Sequence, residues 1–239
     1  MLKNALPMQS FIRRCWLLTH RFPEAEAVAL LPKELRPVTH GGFAFLNTVV
    51  ARMEAMRPQG LPAAFGLDYW HVGYRIYAKA ATDRGEREGL YFLRSDCDRR
   101  LLVLGGNLLS AFRFHLARIE VAETGSGTAI RVEAPGGHAS LELGRDPVTE
   151  LAEGSPFASL AEAEAFLKYK PCGLAPAGPG RVNLLPIRRD ESAWQARPVP
   201  VRHQTLECLE ALPGLRPELA FEVAPIAYRF DRARLKVVR

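Results

Sequence analysis

A β-rich (α+β) fold, built as a single antiparallel β-barrel with a few helices packed around it, is what this 239-residue sequence predicts. Three observations carry the prediction. Several runs rich in aromatic and β-branched residues alternate in character with the two-residue period of a strand. Short glycine turns, Thr124-Gly125-Ser126-Gly127 and Pro135-Gly136-Gly137, join three of these runs into an antiparallel meander. Helical patterns are few, and nothing in the order of segments has the βαβ rhythm of a parallel sheet.

From the N-terminus, Ser10 to His20 fits a strand or a short helix, and its compact apolar Cys15-Trp16-Leu17-Leu18-Thr19 favours the strand. Pro23 to Leu31 reads as a short helix: proline opens it, acids occupy its first turn and Pro32 ends it. His40-Gly41-Gly42 turns into a β-rich segment from Phe43 to Met53, and Arg57 to Pro62 forms a loop. The best-defined strand follows, from Asp68 to Ala80. Trp70, Val72, Tyr74, Ile76, Ala78 and Ala80 fall on one face, which suits a packed core. Tyr69, His71, Gly73, Arg75, Tyr77 and Lys79 fall on the other, which is too polar for a core and too aromatic for an ordinary wet surface. A barrel accounts for that second face, because larger barrels enclose cavities into which alternate residues point.

Asp83 to Glu88 is a polar turn, and Gly89 to Arg94 is the returning strand. Asp96 to Ser110 reads as a helix capped by Asp96 or Asp98, with Leu101, Leu102, Leu104, Leu108 and Leu109 as its apolar stripe. Gly105-Gly106 weakens that helix and marks close helix-to-sheet packing or a kink. Phe112 to Val121, Thr128 to Glu133 and His138 to Leu143 form the meander. Ser159, with Glu162 three residues later, caps a helix that ends before Pro171. Gly173 to Gly180 is a turn, and Arg181 to Ile187, Trp194 to Val201, Gln204 to Glu210 and Ala220 to Phe230 complete a second β-rich portion. No repeat or composition shift divides the chain, so residues 1–239 are expected to form one domain.

Hydrophobic residues make up 48% and charged residues 24% of the chain, as in a soluble globular protein with a substantial core. No apolar run approaches the roughly 20 residues needed to cross a bilayer, and no secretory h-region develops, so a cytoplasmic protein without membrane association is expected. Cys15, Cys97, Cys172 and Cys208 are widely separated, which argues against a structural zinc site and for inert thiols. The net charge of +6 is spread over isolated doublets, Arg13-Arg14, Arg99-Arg100 and Arg188-Arg189, among acids. Without a basic arm or an aromatic-basic module, nucleic-acid binding is not expected.

Arg75 is the first candidate for a binding role, because a guanidinium inside a barrel grips a carboxylate in bidentate fashion. The plainer alternative is a surface arginine or one paired with a structural acid. Tyr77 and His71 share its face, where they donate to a ligand oxygen, act as acid or base, or simply pack. Lys79 lies further along, near a turn. His115 and Arg113 alternate with Phe112 and Phe114 and could share a barrel-facing side; Glu120, Glu133 and Glu142 sit on neighbouring strands. The sequence has no GxSxG, no HExxH and no phosphate-binding glycine loop, so it assigns no catalytic residue, metal or cofactor.

The run Val72-Gly73-Tyr74-Arg75-Ile76-Tyr77-Ala78, the following Gly89 to Asp96, and a leucine-rich helix leading into Phe112-Arg113-Phe114-His115 resemble a bacterial family of uncharacterised proteins. This family, of the domain of unknown function 2071 type, is placed in the acetoacetate-decarboxylase-like superfamily. His20, Leu31-Pro32, Phe166-Leu167-Lys168-Tyr169 and Leu184-Leu185-Pro186 extend the resemblance over most of the chain. It implies the barrel and a cavity. It does not carry decarboxylase activity across, because those enzymes use a Schiff-base lysine lowered in pKa by an adjacent lysine. The six lysines here (3, 33, 79, 168, 170 and 236) include no neighbouring pair. The expected function is binding of a small anionic or carbonyl-bearing molecule at Arg75, Tyr77, His71 and His115, with or without cofactor-free catalysis. The alternative is a non-catalytic ligand-binding or protein-interaction barrel, and a homo-oligomer is compatible with either.

Overall fold

The computed structural model describes residues 5–168, 170 and 172–238. Lys3, Tyr169 and Pro171, which entered the sequence argument, lie outside the described residues. The chain is strand-rich. It begins with β1 (Met8–Pro23), the two-residue β2 (Arg36–Pro37) and β3 (Thr39–His40), and the long β4 (Phe43–Pro58), β5 (Leu67–Thr82) and β6 (Gly85–Cys97). Then come β7 (Phe114–Leu116), β8 (Arg118–Thr124), β9 (Gly127–Glu133) and β10 (Ala139–Gly144). The last part holds β11 (Cys172–Pro176), β12 (Arg181–Arg188), β13 (Ala196–Pro198), β14 (Val201–Leu206), β15 (Arg216–Val223), β16 (Ile226–Phe230) and β17 (Arg234–Val237). The described helices are α1 (Glu24–Leu30), α2 (Arg100–Leu109) and α3 (Leu160–Leu167), with two short 3₁₀ turns.

Two sheets form. In the larger one, β1 pairs with β4 along one edge and with β15 and β16 along the other. The path β1–β16–β12–β11–β6–β5–β4 therefore returns to its start, a closed ring of strands in which β11 runs parallel to β6, so the ring is not antiparallel throughout as expected. The smaller sheet has the order β14–β10–β9–β8, so the meander is present but forms a layer of its own. One apolar cluster joins the two sheets: Trp16, Leu18, Val72, Tyr74 and Ile76 pack with Ile130 and Leu141. A second cluster, with Leu17, Phe45, Tyr69, Tyr77, Phe92 and Phe221, fills the other side of the large sheet. Strand β5 thus divides between the two clusters by odd and even positions, as its alternation predicts.

Arg94 fastens the sheets together. Its Nε donates to the buried Asp96 Oδ1 at 2.8 Å, and its two other nitrogens donate to Pro135 O and Gly136 O at 3.0 Å. Gly137 leaves room for this clamp, since a Cβ there would lie 2.5 Å from Arg94 Nη2. Burial pushes the Asp96 carboxyl up, against the pull of Arg94. A second buried pair, Arg21 with Glu218, ties β1 and β15 to the loop before α3, where Ser155 donates to Glu218 and Arg21 donates to Glu153 O.

Helix α1 starts after Pro23 and carries Glu24 and Glu26 in its first turn, and Ser159 caps α3 by accepting from Glu162 N at 3.2 Å. Other expectations need correction. Strand β6 continues to Cys97, so Asp96 is a strand residue and Asp98 receives the Trp70 N–H rather than capping α2. No residue of α2 is buried; Leu101, Leu104 and Leu108 are about 70% exposed because the helix meets the sheet through its other side. Phe112 to Val121 splits between two sheets, as β7 and β8. Part of the 173–180 turn is strand β11, and 220–230 breaks into β15 and β16. Members of the arginine doublets meet local acids: Arg13 with Glu54, Arg14 with Glu123, Arg188 with Asp231 and Arg189 with Glu191. No described helix is long and apolar enough to cross a membrane.

Candidate functional site

The polar-aromatic face of β5 lines a cavity of about 240 Å³ inside the ring. Tyr69, His71 and Arg75 contribute from β5; Ile12, Cys15 and Leu17 from β1; Val49, Ala51, Met53 and Met56 from β4. Phe92, Phe112, Phe114, Tyr228 and Phe230 close the sides, and one face of α2 covers the space with Leu102, Gly105, Gly106 and Leu109. Gly73 is part of the design, because a Cβ there would come 3.1 Å from Val49 Cγ1 and 3.2 Å from His71 Cε1. Glycine thus lets the His71 ring lie in this space, 5.7 Å from the Phe114 ring.

Arg75 is only 3% exposed, and among the described residues it is the only charged side chain in the lining. A chain of buried hydrogen bonds fixes it. Arg75 Nε donates to Asn47 Oδ1 at 2.7 Å, Asn47 Nδ2 donates to Tyr77 Oη at 2.9 Å, and Tyr77 Oη donates to Leu167 O at 2.8 Å. Asn47 and Tyr77 are fully buried, so the relay runs from the cavity to the end of α3. The acceptor that Asn47 supplies is a neutral amide oxygen, which orients the guanidinium. The guanidinium carbon also lies 5.8 Å from the centre of the Phe92 ring.

That charge acts on its neighbours. Burial first, and the nearby Arg75 second, push the His71 imidazole down to about 3. Burial pushes the Cys15 thiol up to about 12, although Arg75 and Arg189 pull the other way. At neutral pH the described lining therefore presents one cation, a neutral imidazole and an inert thiol. His71 Nε2 is shut off from solvent with no hydrogen-bond partner among the described residues.

His20, buried outside the cavity and bonded to Gln204 at 3.1 Å, is likewise held down, to about 4. Both imidazoles stay neutral in the fold, while the unfolded chain takes up protons below about pH 6.5. Stability present above pH 6.5 is therefore lost as pH falls toward 4, at about 1.4 kcal/mol per pH unit for each histidine. Asp96, raised above its ordinary 3.8 by burial, contributes with the opposite sign. Urea denaturation at a series of pH values reads the slope, and His20→Gln removes about half of the histidine contribution. A slope unchanged by that substitution would contradict a neutral buried His20.

The structure brings Arg75 and His71 together at the cavity. It places Tyr77 one layer behind, where it holds Asn47 rather than facing the open space. His115 does not join them. It sits on β7 with its side chain about half exposed, Nδ1 3.3 Å from Ser95 O and 3.8 Å from Asp96 Oδ1, while its neighbour Phe114 faces the cavity. Arg113 is exposed and donates to Tyr91 Oη at 2.9 Å. Lys79 pairs with Glu86 at 3.2 Å, and Glu120, Glu133 and Glu142 are exposed on the second sheet. Sequence reasoning did not single out Asn47, whose signal was a lone amide in the apolar Phe43–Met53 run. It also missed the inner face of α2. Among the described residues, no lysine lines the cavity and no group of histidine, cysteine and acidic side chains could hold a metal ion.

Residues 11–222 match the model of the DUF2071 family, described as an uncharacterized conserved protein. No curated protein matches the chain. Among solved structures, it is similar to an acetoacetate decarboxylase-like enzyme from Sphingomonas wittichii RW1, with a TM-score of 0.62 at 15% identity over 100% of this chain and 95% of that one. It is also similar to acetoacetate decarboxylase from Legionella pneumophila, with a TM-score of 0.62 at 16% identity over 98% of this chain and 88% of that one. The enduracididine biosynthesis enzyme MppR, complexed with pyruvate, matches with a TM-score of 0.60 at 12% identity over 98% and 91% of the two chains. At these identities the likeness establishes the shared acetoacetate decarboxylase-like fold.

Proposed function

We propose, for a chain that belongs to the DUF2071 family, that its ring of strands works as a ligand-binding barrel and takes a small organic monocarboxylate in its cavity. The observation that carries this reading is the buried Arg75 guanidinium, oriented by a neutral amide, in the lining of an otherwise largely apolar space. A carboxylate is the ligand group that matches both the charge and the fork of arginine. The apolar walls then call for an apolar body. Since a cavity of about 150 Å³ holds benzene, 240 Å³ corresponds to a ligand of about ten non-hydrogen atoms. Octanoate has that size. The pyruvate complex of MppR supports the reading only by analogy, as a 2-oxo acid bound on the same fold.

Imine chemistry is not part of this proposal, because the described lining offers no lysine. A second reading, in which the site acts on its ligand without a cofactor, rests on His71 Nε2, whose orphaned position suits a hydrogen bond to a ligand oxygen. Thermal unfolding with and without octanoate tests the binding. Ten atoms at about 0.6 kcal/mol each give a dissociation constant of tens of micromolar. At 1 mM octanoate that adds about 2 kcal/mol of stability and raises Tm by about 5 °C. An unchanged Tm would count against the site. Borohydride reduction in the presence of pyruvate or acetoacetate, followed by mass spectrometry, is expected to leave the protein without an adduct.

A further inference from the structure

The two glycines of α2 that line the cavity have different surroundings. A Cβ on Gly106 would lie 2.4 Å from the Phe114 ring, so close helix-to-ring packing explains its glycine. Among the described residues a Cβ on Gly105 would meet nothing within 4 Å, and its backbone is in the ordinary helical range rather than the left-handed one. Neither packing against the described residues nor conformation therefore requires glycine at 105, although a glycine inside a helix is less favourable than alanine. Gly105 shares the cavity side of α2 with Leu102, Gly106 and Leu109, at the three- and four-residue spacing of one helical face. What its missing side chain leaves is open space at the wall of the cavity.

We infer that Gly105 is the residue that sets ligand length: the carboxylate sits on Arg75 of β5, and the far end of a straight apolar chain occupies the space beside Gly105. This rests on the carboxylate reading above and names its ligand class more closely, as an unbranched alkanoate whose upper chain length is fixed by residue 105. A side chain at 105 then takes up part of the cavity, starting from a Cβ that meets no described residue within 4 Å.

The test is calorimetric titration of hexanoate, octanoate, decanoate and dodecanoate into the wild-type protein and into Gly105→Leu. The variant is expected to fold with an unchanged or raised Tm in the absence of ligand, since leucine favours helix. It is expected to keep its affinity for hexanoate within about threefold and to lose about tenfold or more for decanoate, the effect of denying a chain two or more buried methylenes. Should Gly105→Leu fail to fold, Gly105→Ala provides the same comparison with a smaller shift. Identical chain-length profiles in wild type and variant would overturn the assignment of Gly105 while leaving carboxylate binding standing. If the wild-type protein binds none of the four acids, the carboxylate reading itself falls, and the inference with it.

Discussion

Arg75→Met weakens octanoate binding by about 100- to 1,000-fold, the value of losing two charge-assisted hydrogen bonds in a desolvated site. The apolar walls are unchanged in this variant, so 1-octanol, which has the same chain without the charge, loses less than threefold. Arg75→Lys keeps the cation but not the planar fork, and falls about tenfold below wild type. His115→Ala is the matched control on β7. Its side chain is outside the cavity lining, and octanoate affinity should stay within twofold. Arg75→Met also leaves Asn47 Oδ1 without its donor in a fully buried position, which costs about 1–3 kcal/mol of stability. Asn47→Leu in the same background recovers part of that loss. Titration calorimetry with both ligands separates the binding effect from the folding effect.

The largest stability effect is expected away from the cavity, at Arg21 and Glu218. Both side chains are almost wholly shielded from solvent, and each also holds a neighbour: Arg21 donates to Glu153 O at 2.6 Å and to Pro217 O at 3.2 Å, and Glu218 accepts from Ser155 Oγ. Glu218→Gln leaves a buried cation with a neutral partner, and the expected loss is about 3–5 kcal/mol. For a chain of this length that corresponds to a fall in Tm of about 10 °C. The doubly apolar variant, Arg21→Met with Glu218→Met, should recover most of it, because removing both charges also removes their desolvation cost. The loop they hold carries Phe157, which stacks on His40 at 4.6 Å and contacts Phe45 at 5.5 Å, so its release should show in the near-ultraviolet spectrum. A Glu218→Gln variant as stable as wild type would mean that the pair does not organise this corner of the fold.

How far the site was legible depended on which physical signal each residue carried. Strand β5 announced both of its faces, because alternation survives wherever one side is packed and the other lines a different environment. That put Arg75 and His71 on the face of β5 that lines the cavity. His115 was misplaced by parity. Alternation in Phe112-Arg113-Phe114-His115 separates two sets of residues but does not say which set turns inward. An apolar cavity takes the phenylalanines and leaves Arg113 and His115 outside. Tyr77 shares the face of Arg75, yet the ring is filled at that level, and the hydroxyl spends its hydrogen bonds on Asn47 and Leu167 O. The helix was legible and its packing was not. Leu101, Leu104 and Leu108 form a convincing stripe, but the side that meets the sheet is the one with the glycines. The closure of β1 on β4 joins residues 15 and 51 through long-range pairing, which local pattern does not encode.

The carboxylate reading is tested most directly by the crystal structure of the protein grown with octanoate. The account predicts electron density filling the cavity, with the carboxylate oxygens within hydrogen-bond distance of the Arg75 guanidinium and the chain running toward α2. Density with the carboxylate turned away from Arg75, or a cavity left unfilled at saturating octanoate, would contradict it.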